Sequence, residues 1–150
     1  MNENKTWLIT GCSSGFGREL AIQVAEKGEQ VIATVRKEEQ RAPLEALAPG
    51  LIEAILMDVQ FPDQIEAGVE HIKNKYGRLD VLVNNAGYGE IGPLEDIDEK
   101  KMIRQMDVNV YGPIRLIRAC LPIMRKANVQ DMSWNVNFHV DVREEQWSKD

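Results

Sequence analysis

Apolar positions along this chain fall into two rhythms that alternate from the N-terminus. Short unbroken apolar runs form one, as in Trp7-Leu8-Ile9 and Ile52 to Met57. In the other, apolar residues recur every three or four positions: Phe16, Leu20 and Val24, then Ile65, Val69, Ile72 and Tyr76. Short unbroken runs read as strands buried on both faces, and the wider spacing reads as helices with one apolar face. The predicted order begins with strand Lys5–Thr10, helix Gly15–Lys27 stopped by Gly28, and strand Gln30–Val35. A short helix near Pro43–Leu47, strand Leu51–Met57, helix Asp63–Tyr76 stopped by Gly77, and strand Leu79–Val83 follow. A loop with Gly87, Gly89, Gly92 and Pro93 then leads to a helix from about Asp98 to Asn109 and a second helical stretch to Lys126. Gly112-Pro113 and Pro122 predict kinks or breaks in that stretch. Strand and helix in alternation imply an α/β fold, a doubly wound parallel sheet with helices on both faces.

The rhythm changes after Val129. Trp134, Val136, Phe138, Val140 and Val142 alternate with polar residues, a period of two that reads as one strand with a wet face. Such a strand is expected to pair beside the fourth strand as an edge, because a central strand of this sheet should be apolar on both faces. The charged end, Arg143–Asp150, is expected to fray. This divides the chain into a unit at 1–129 and a divergent tail at 130–150.

The most informative segment is Thr10-Gly-Cys-Ser-Ser-Gly-Phe-Gly17, between the first strand and the first helix. A glycine-rich turn here aims backbone N–H groups and the positive end of a helix dipole at an anion. Gly11 suits a tight turn, Gly15 removes a Cβ where a diphosphate approaches, and Gly17 permits close packing of the helix. Three further motifs follow in order: Asp58-Val59, Asn84-Asn85-Ala86-Gly87, and Asn109 within Asp107-Val108-Asn109-Val110. Together they resemble the short-chain dehydrogenase/reductase family from about Lys5 to about Val129. The resemblance implies an incomplete Rossmann-like sheet of about four parallel strands, plus a possible edge strand from the tail. It also implies an NAD(P) cofactor held by Gly11, Ser13, Ser14, Gly15, Phe16 and Gly17, by Arg36, by Asp58 and Val59 beside the adenine, and by Asn85, Ala86 and Gly87.

Cofactor choice turns on the end of the second strand. A carboxylate there binds ribose hydroxyls and repels a 2′-phosphate, whereas an arginine accommodates one. The position where NAD-preferring relatives carry the acid is Val35, with Arg36-Lys37 next, so NADP is expected over NAD. Catalysis in the family resembles acid–base work by a Tyr-x-x-x-Lys pair with a serine and an asparagine. Tyr76 has Asp80 four residues on, Tyr88 has Gly92 and Tyr111 has Arg115, so the pair is missing. Asn109 is the one surviving counterpart among the catalytic residues. His71 and His139 lack ligand spacing and suggest no metal site. Glu95-Asp96 and Asp98-Glu99 read as solvated charge and helix N-terminal residues.

The net charge of -6 argues against a nucleic-acid surface, and no run of about 18 apolar residues suits a membrane span. The N-terminus lacks a signal-peptide pattern, and Cys12 and Cys120 in unlike contexts fit free thiols in a cytoplasmic protein. Three readings stay open. The chain resembles an NADP-binding short-chain oxidoreductase that on its own transfers no hydride. Alternatively it is a non-catalytic interaction module whose 98–126 helices pair with a copy of itself or with a complete relative. Or it is a product truncated or frame-shifted after about Val129.

Overall fold

The computed structural model describes residues 4–127, 131–134 and 138–141. Strands β1 (Thr6–Ile9), β2 (Gln30–Val35), β3 (Ile52–Leu56) and β4 (Val81–Asn84) alternate with helices α1 (Gly15–Glu26), α2 (Arg41–Glu45) and α3 (Pro62–Tyr76). Helix α4 (Glu99–Met106) passes through a π turn at Asp107–Tyr111 into α5 (Gly112–Lys126), and β5 (Asp131–Trp134) and β6 (Phe138–Asp141) follow. The sheet order is β3-β2-β1-β4-β5-β6, parallel throughout except for the β5–β6 pair.

Successive residues of each central strand feed opposite faces of the sheet. Leu8 and Ile32 join the core under α3 and α5, with Ile65, Ile72, Leu116 and Met124. Ile9, Val31 and Ala33 join the other core, under α1 and α2, with Ala21, Val24 and Leu44. That double burial is why the strands read as unbroken apolar runs rather than as alternation. Each fully buried Leu or Ile side chain contributes about 1.5–3 kcal/mol relative to exposure. At the N-terminal ends of β1 and β4, the buried Asp80 carboxylate accepts the Thr6 N–H at 2.8 Å and pairs with Arg78 at 2.6 Å.

Two expectations need correction. The tail is not one strand from Trp134 to Val142: Trp134 and Phe138 are register partners in an antiparallel pair, so the chain reverses between them. A period of two persists through both arms of a hairpin, so alternation cannot tell a hairpin from one long strand. As expected, the tail does pair beside β4, through Leu82↔Met132 and Val83↔Ser133, but β6 rather than β5 takes the sheet edge. The frayed end expected at 143–150 lies outside the described residues. The break expected at Gly112-Pro113 takes the form of the π turn, after which Pro113 sits in the first turn of α5, where its missing N–H costs least. Pro122 ends nothing, and α5 continues to Lys126.

Candidate cofactor site

Everything at this site hangs on the turn after β1. Thr10 leaves the strand with its N–H on the Val83 carbonyl at 3.0 Å. Its hydroxyl oxygen accepts the N–H groups of Asn85 and Ala86 at 3.0 and 2.9 Å, fastening the loop after β4 to the turn. On the other side, Gly11 donates its N–H to Thr34 Oγ1 at 3.1 Å, and Cys12 donates its own to the Thr34 carbonyl at 2.8 Å. The turn is thus held from both flanking strands, β2 and β4. Gly11 (φ 71°) and Gly15 (φ 61°) occupy left-handed conformations that cost a residue with a Cβ roughly 1–2 kcal/mol.

Gly17 serves a different purpose. A Cβ there would lie 2.3 Å from Asn85 Nδ2 and 2.6 Å from the Gly11 carbonyl oxygen. The close approach expected of Gly17 is therefore to the Asn85 side chain and the turn itself, rather than to a strand. Asn85 Nδ2 donates to the Thr10 and Gly11 carbonyls at 2.9 and 3.1 Å, so this side chain is part of what shapes the turn.

Helix α1 begins at Gly15 with Ser14 at its N-cap, yet no side chain caps it and its first turn holds no acidic residue. The first N–H groups of a helix have no partner within it, and together with the dipole they form an anion site. That end opens onto a cavity of about 400 Å³. Gly11, Ser13 and Ser14 line one end, Val35, Arg36, Asp58 and Val59 another part, and Ala86 and Gly87 the wall from the loop after β4. Eight of the expected cofactor residues thus meet at one cavity: Gly11, Ser13, Ser14, Arg36, Asp58, Val59, Ala86 and Gly87. Gly15, Gly17 and Asn85 support it from behind, and the Phe16 side chain, 90% exposed, projects away into solvent.

Thr34, Met57, Gln60, Tyr88, Arg104 and Val108 also line the cavity, and sequence reasoning had not marked them. Thr34 carried a signal, as the one hydroxyl inside an otherwise apolar run. Arg104 and Gln60 carried none, because only the packing of α4 against the end of β3 brings them here.

Asp58 is not a helix cap: α3 takes Phe61 at that position. Its carboxylate instead accepts the Gln60 N–H at 3.0 Å, and Gln60 Nε2 reaches both oxygens at 3.2 and 3.3 Å. Asn109 stands within the π turn, where its Oδ1 accepts the Tyr88 N–H at 3.0 Å and its Nδ2 donates to the Tyr88 carbonyl at 2.7 Å. That reciprocal pair clamps the loop after β4. Tyr111 is half exposed, and Arg115 is bound to Asp107 at 2.8 Å, so the two form no catalytic pair. Asp98 caps α4, accepting the Lys100 N–H at 2.8 Å. His71 pairs with Glu53 at 2.8 Å, on α3 away from the cavity. Burial pushes the Cys12 and Cys120 thiols up to about 12, so neither supplies a thiolate at neutral pH.

The residues present fit a dinucleotide: an uncapped helix end for a diphosphate, a cavity beside it, and a cationic side chain at the rim. Comparison with known proteins agrees with this site. The family model for short chain dehydrogenases matches residues 5–130. A 3-ketodihydrosphingosine reductase from Bacteroides thetaiotaomicron is 41% identical over 120 residues, covering 80% of this chain and 42% of the relative. Human 17-beta-hydroxysteroid dehydrogenase type 1 is 41% identical over 128 residues, covering 79% of this chain and 38% of the relative. Among solved structures, a short-chain dehydrogenase from Streptomyces avermitilis superposes with a TM-score of 0.81 at 40% identity, covering 86% of this chain and 47% of that one. The chain spans less than half the length of each of these relatives. With the phosphate turn, the cavity and the sheet order all in place, this chain belongs to the short-chain dehydrogenase family, whose membership implies a nicotinamide dinucleotide cofactor.

Proposed function

We propose that this chain binds NADP(H) in the cavity between the Thr10–Gly17 turn and the ends of β2 and β3. The observation that carries the proposal is the uncapped N-terminus of α1 facing a cavity that Arg36 also lines. Among the described residues Arg36 has no ion-pair partner, so its guanidinium is available to a phosphate. A 2′-phosphate would receive bidentate, charge-assisted bonds from it. Residues 1–129 form the binding unit in this reading, with 130–150 as a divergent tail. Two buried free thiols suit a reducing cytoplasm.

Hydride transfer asks for more than binding. A cofactor in this cavity would supply the hydride, while this chain's residues hold the diphosphate and the adenosine. None of its tyrosines precedes a lysine at four residues' distance, so the 150-residue chain alone is expected to bind without turnover. Titration with NADPH and NADH by calorimetry, followed by a carbonyl-dependent turnover assay on the same sample, tests both halves. NADPH binding tighter than NADH, with no turnover, is the expected result. Failure to bind either dinucleotide would overturn the first half, and enzyme-dependent NADPH oxidation the second.

A specific observation favours a second role for α4 and α5. Ile103, Met106, Tyr111 and Ile114 are exposed along these helices, at 61%, 48%, 53% and 39%. An apolar stripe of this kind favours association, with a second copy or with a longer relative. A stable monomer on size-exclusion chromatography would count against it. Among the described residues no helix is long and apolar enough to cross a membrane.

A further inference from the structure

We infer that Gln60 is a specificity-determining residue, which together with Asp58 reads the amino group of the base in the dinucleotide cavity. The inference rests on the binding proposed above and adds a residue to it. Its starting point is the count of lone pairs on Asp58. A carboxylate offers about four acceptor sites, two on each oxygen. Oδ1 takes the Gln60 N–H at 3.0 Å and Gln60 Nε2 at 3.2 Å, so it is fully used. Oδ2 takes Gln60 Nε2 alone, at 3.3 Å, and keeps one site. The Asp58 backbone N–H is also engaged, donating to Gln64 Oε1 at 2.8 Å, which holds the residue in place from below.

Because Gln60 aims its NH2 group at the carboxylate, its carbonyl oxygen Oε1 stands on the other side of the same planar carboxamide. Among the described residues this oxygen accepts no hydrogen bond, and Gln60 lines the cavity. The site therefore presents two acceptors, Asp58 Oδ2 and Gln60 Oε1, on neighbouring residues. The surrounding walls are apolar: Val35, Met57, Val59 and Val108 are buried and border the same cavity. An apolar slot with a pair of acceptors at its edge suits a flat heteroaromatic ring carrying an exocyclic NH2, whose two donors meet the two acceptors. A ring with a carbonyl at that position sets its oxygen against them. Rotating the Gln60 amide to rescue it would break both contacts from Nε2 to Asp58.

The experiment compares NADH with its hypoxanthine counterpart, which differs by an oxo group in place of the amino group. Both are titrated calorimetrically into the 150-residue chain and into Gln60→Met, which keeps the length and removes the amide. The native chain is expected to prefer NADH by about tenfold, on the order of one buried hydrogen-bond mismatch. In Gln60→Met, affinity for NADH falls several-fold while affinity for the hypoxanthine compound stays within twofold. That second, unchanged affinity also certifies that the variant is folded. Equal binding of the two compounds by the native chain would overturn the inference. So would an equal loss for both in the variant, with dinucleotide binding itself left standing. If the native chain binds neither compound, the binding proposal falls and this inference falls with it.

Discussion

Replacing Gly17 by alanine adds one carbon to a position inside α1, and two arguments disagree about the sign of the effect. Helix propensity alone predicts stabilisation, since alanine is about 1 kcal/mol better than glycine in a helix interior. The tertiary contacts predict the opposite. The new Cβ would stand 2.3 Å from Asn85 Nδ2 and 2.6 Å from the Gly11 carbonyl oxygen, both well inside van der Waals contact. Asn85 must then swing away, losing its bonds to the Thr10 and Gly11 carbonyls at 2.9 and 3.1 Å. Overpacking of this kind costs about 1–3 kcal/mol, and the two lost bonds together cost about 1–3 kcal/mol more. After subtracting the propensity gain, the net loss is about 2–4 kcal/mol. Urea unfolding followed by circular dichroism measures it, and the midpoint should fall by roughly 1 M or more. Gly15→Ala is the companion variant. There an added Cβ meets nothing within 4 Å, but φ is 61°, so the loss should be smaller, about 1 kcal/mol, and purely conformational. A Gly17→Ala chain as stable as the native one, or more stable, would refute the steric reading of the turn.

Three further outcomes are expected. Arg36→Ala should weaken NADPH by about tenfold to a hundredfold and NADH by little, the worth of charge-assisted bonds to one phosphate; equal losses by calorimetry would remove Arg36 from cofactor choice. Asp80→Ala deprives the buried Thr6 N–H of its acceptor at 2.8 Å and breaks the pair with Arg78, so unfolding stability should drop by about 2–3 kcal/mol, checked by urea titration. Glu53 concerns pH. Burial pushes its carboxyl up, but hydrogen bonds from Tyr76, Lys75 and His71 outweigh burial and leave it below its ordinary value of 4.5. A folded value below the unfolded one means the stabilisation is present in full above about pH 4.5 and disappears as pH falls through the folded value. Glu53→Gln should therefore be less stable than the native chain at neutral pH and flatter on the acid side; thermal melts running parallel to native between about pH 5 and 3 would contradict this.

The parts legible from residues alone were those decided by near neighbours. Unbroken apolar runs at Leu8-Ile9 and Ile52 to Met57 mark strands because both faces of a parallel sheet are covered, and spacing by three and four marks α1 and α3 for a similar local reason. The glycine turn is legible because left-handed backbone at Gly11 and Gly15 leaves few alternatives to glycine. Tertiary structure decided the rest. Whether Trp134 to Val142 forms one strand or a hairpin depends on a reversal that period-two alternation does not encode. Thr10 meets the Ala86 N–H across 76 residues, and Thr34 meets the Gly11 N–H across 23, only because β2, β1 and β4 lie side by side. The same neighbourhood turns Asn85 inward onto the turn and brings Gln60, Arg104 and Val108 to one cavity. Local pattern therefore determined the elements and the anion-binding turn, since both follow from burial and backbone freedom within a few residues. The rest of the cavity wall waited for the fold, because its hydrogen-bond partners become neighbours only when the sheet assembles.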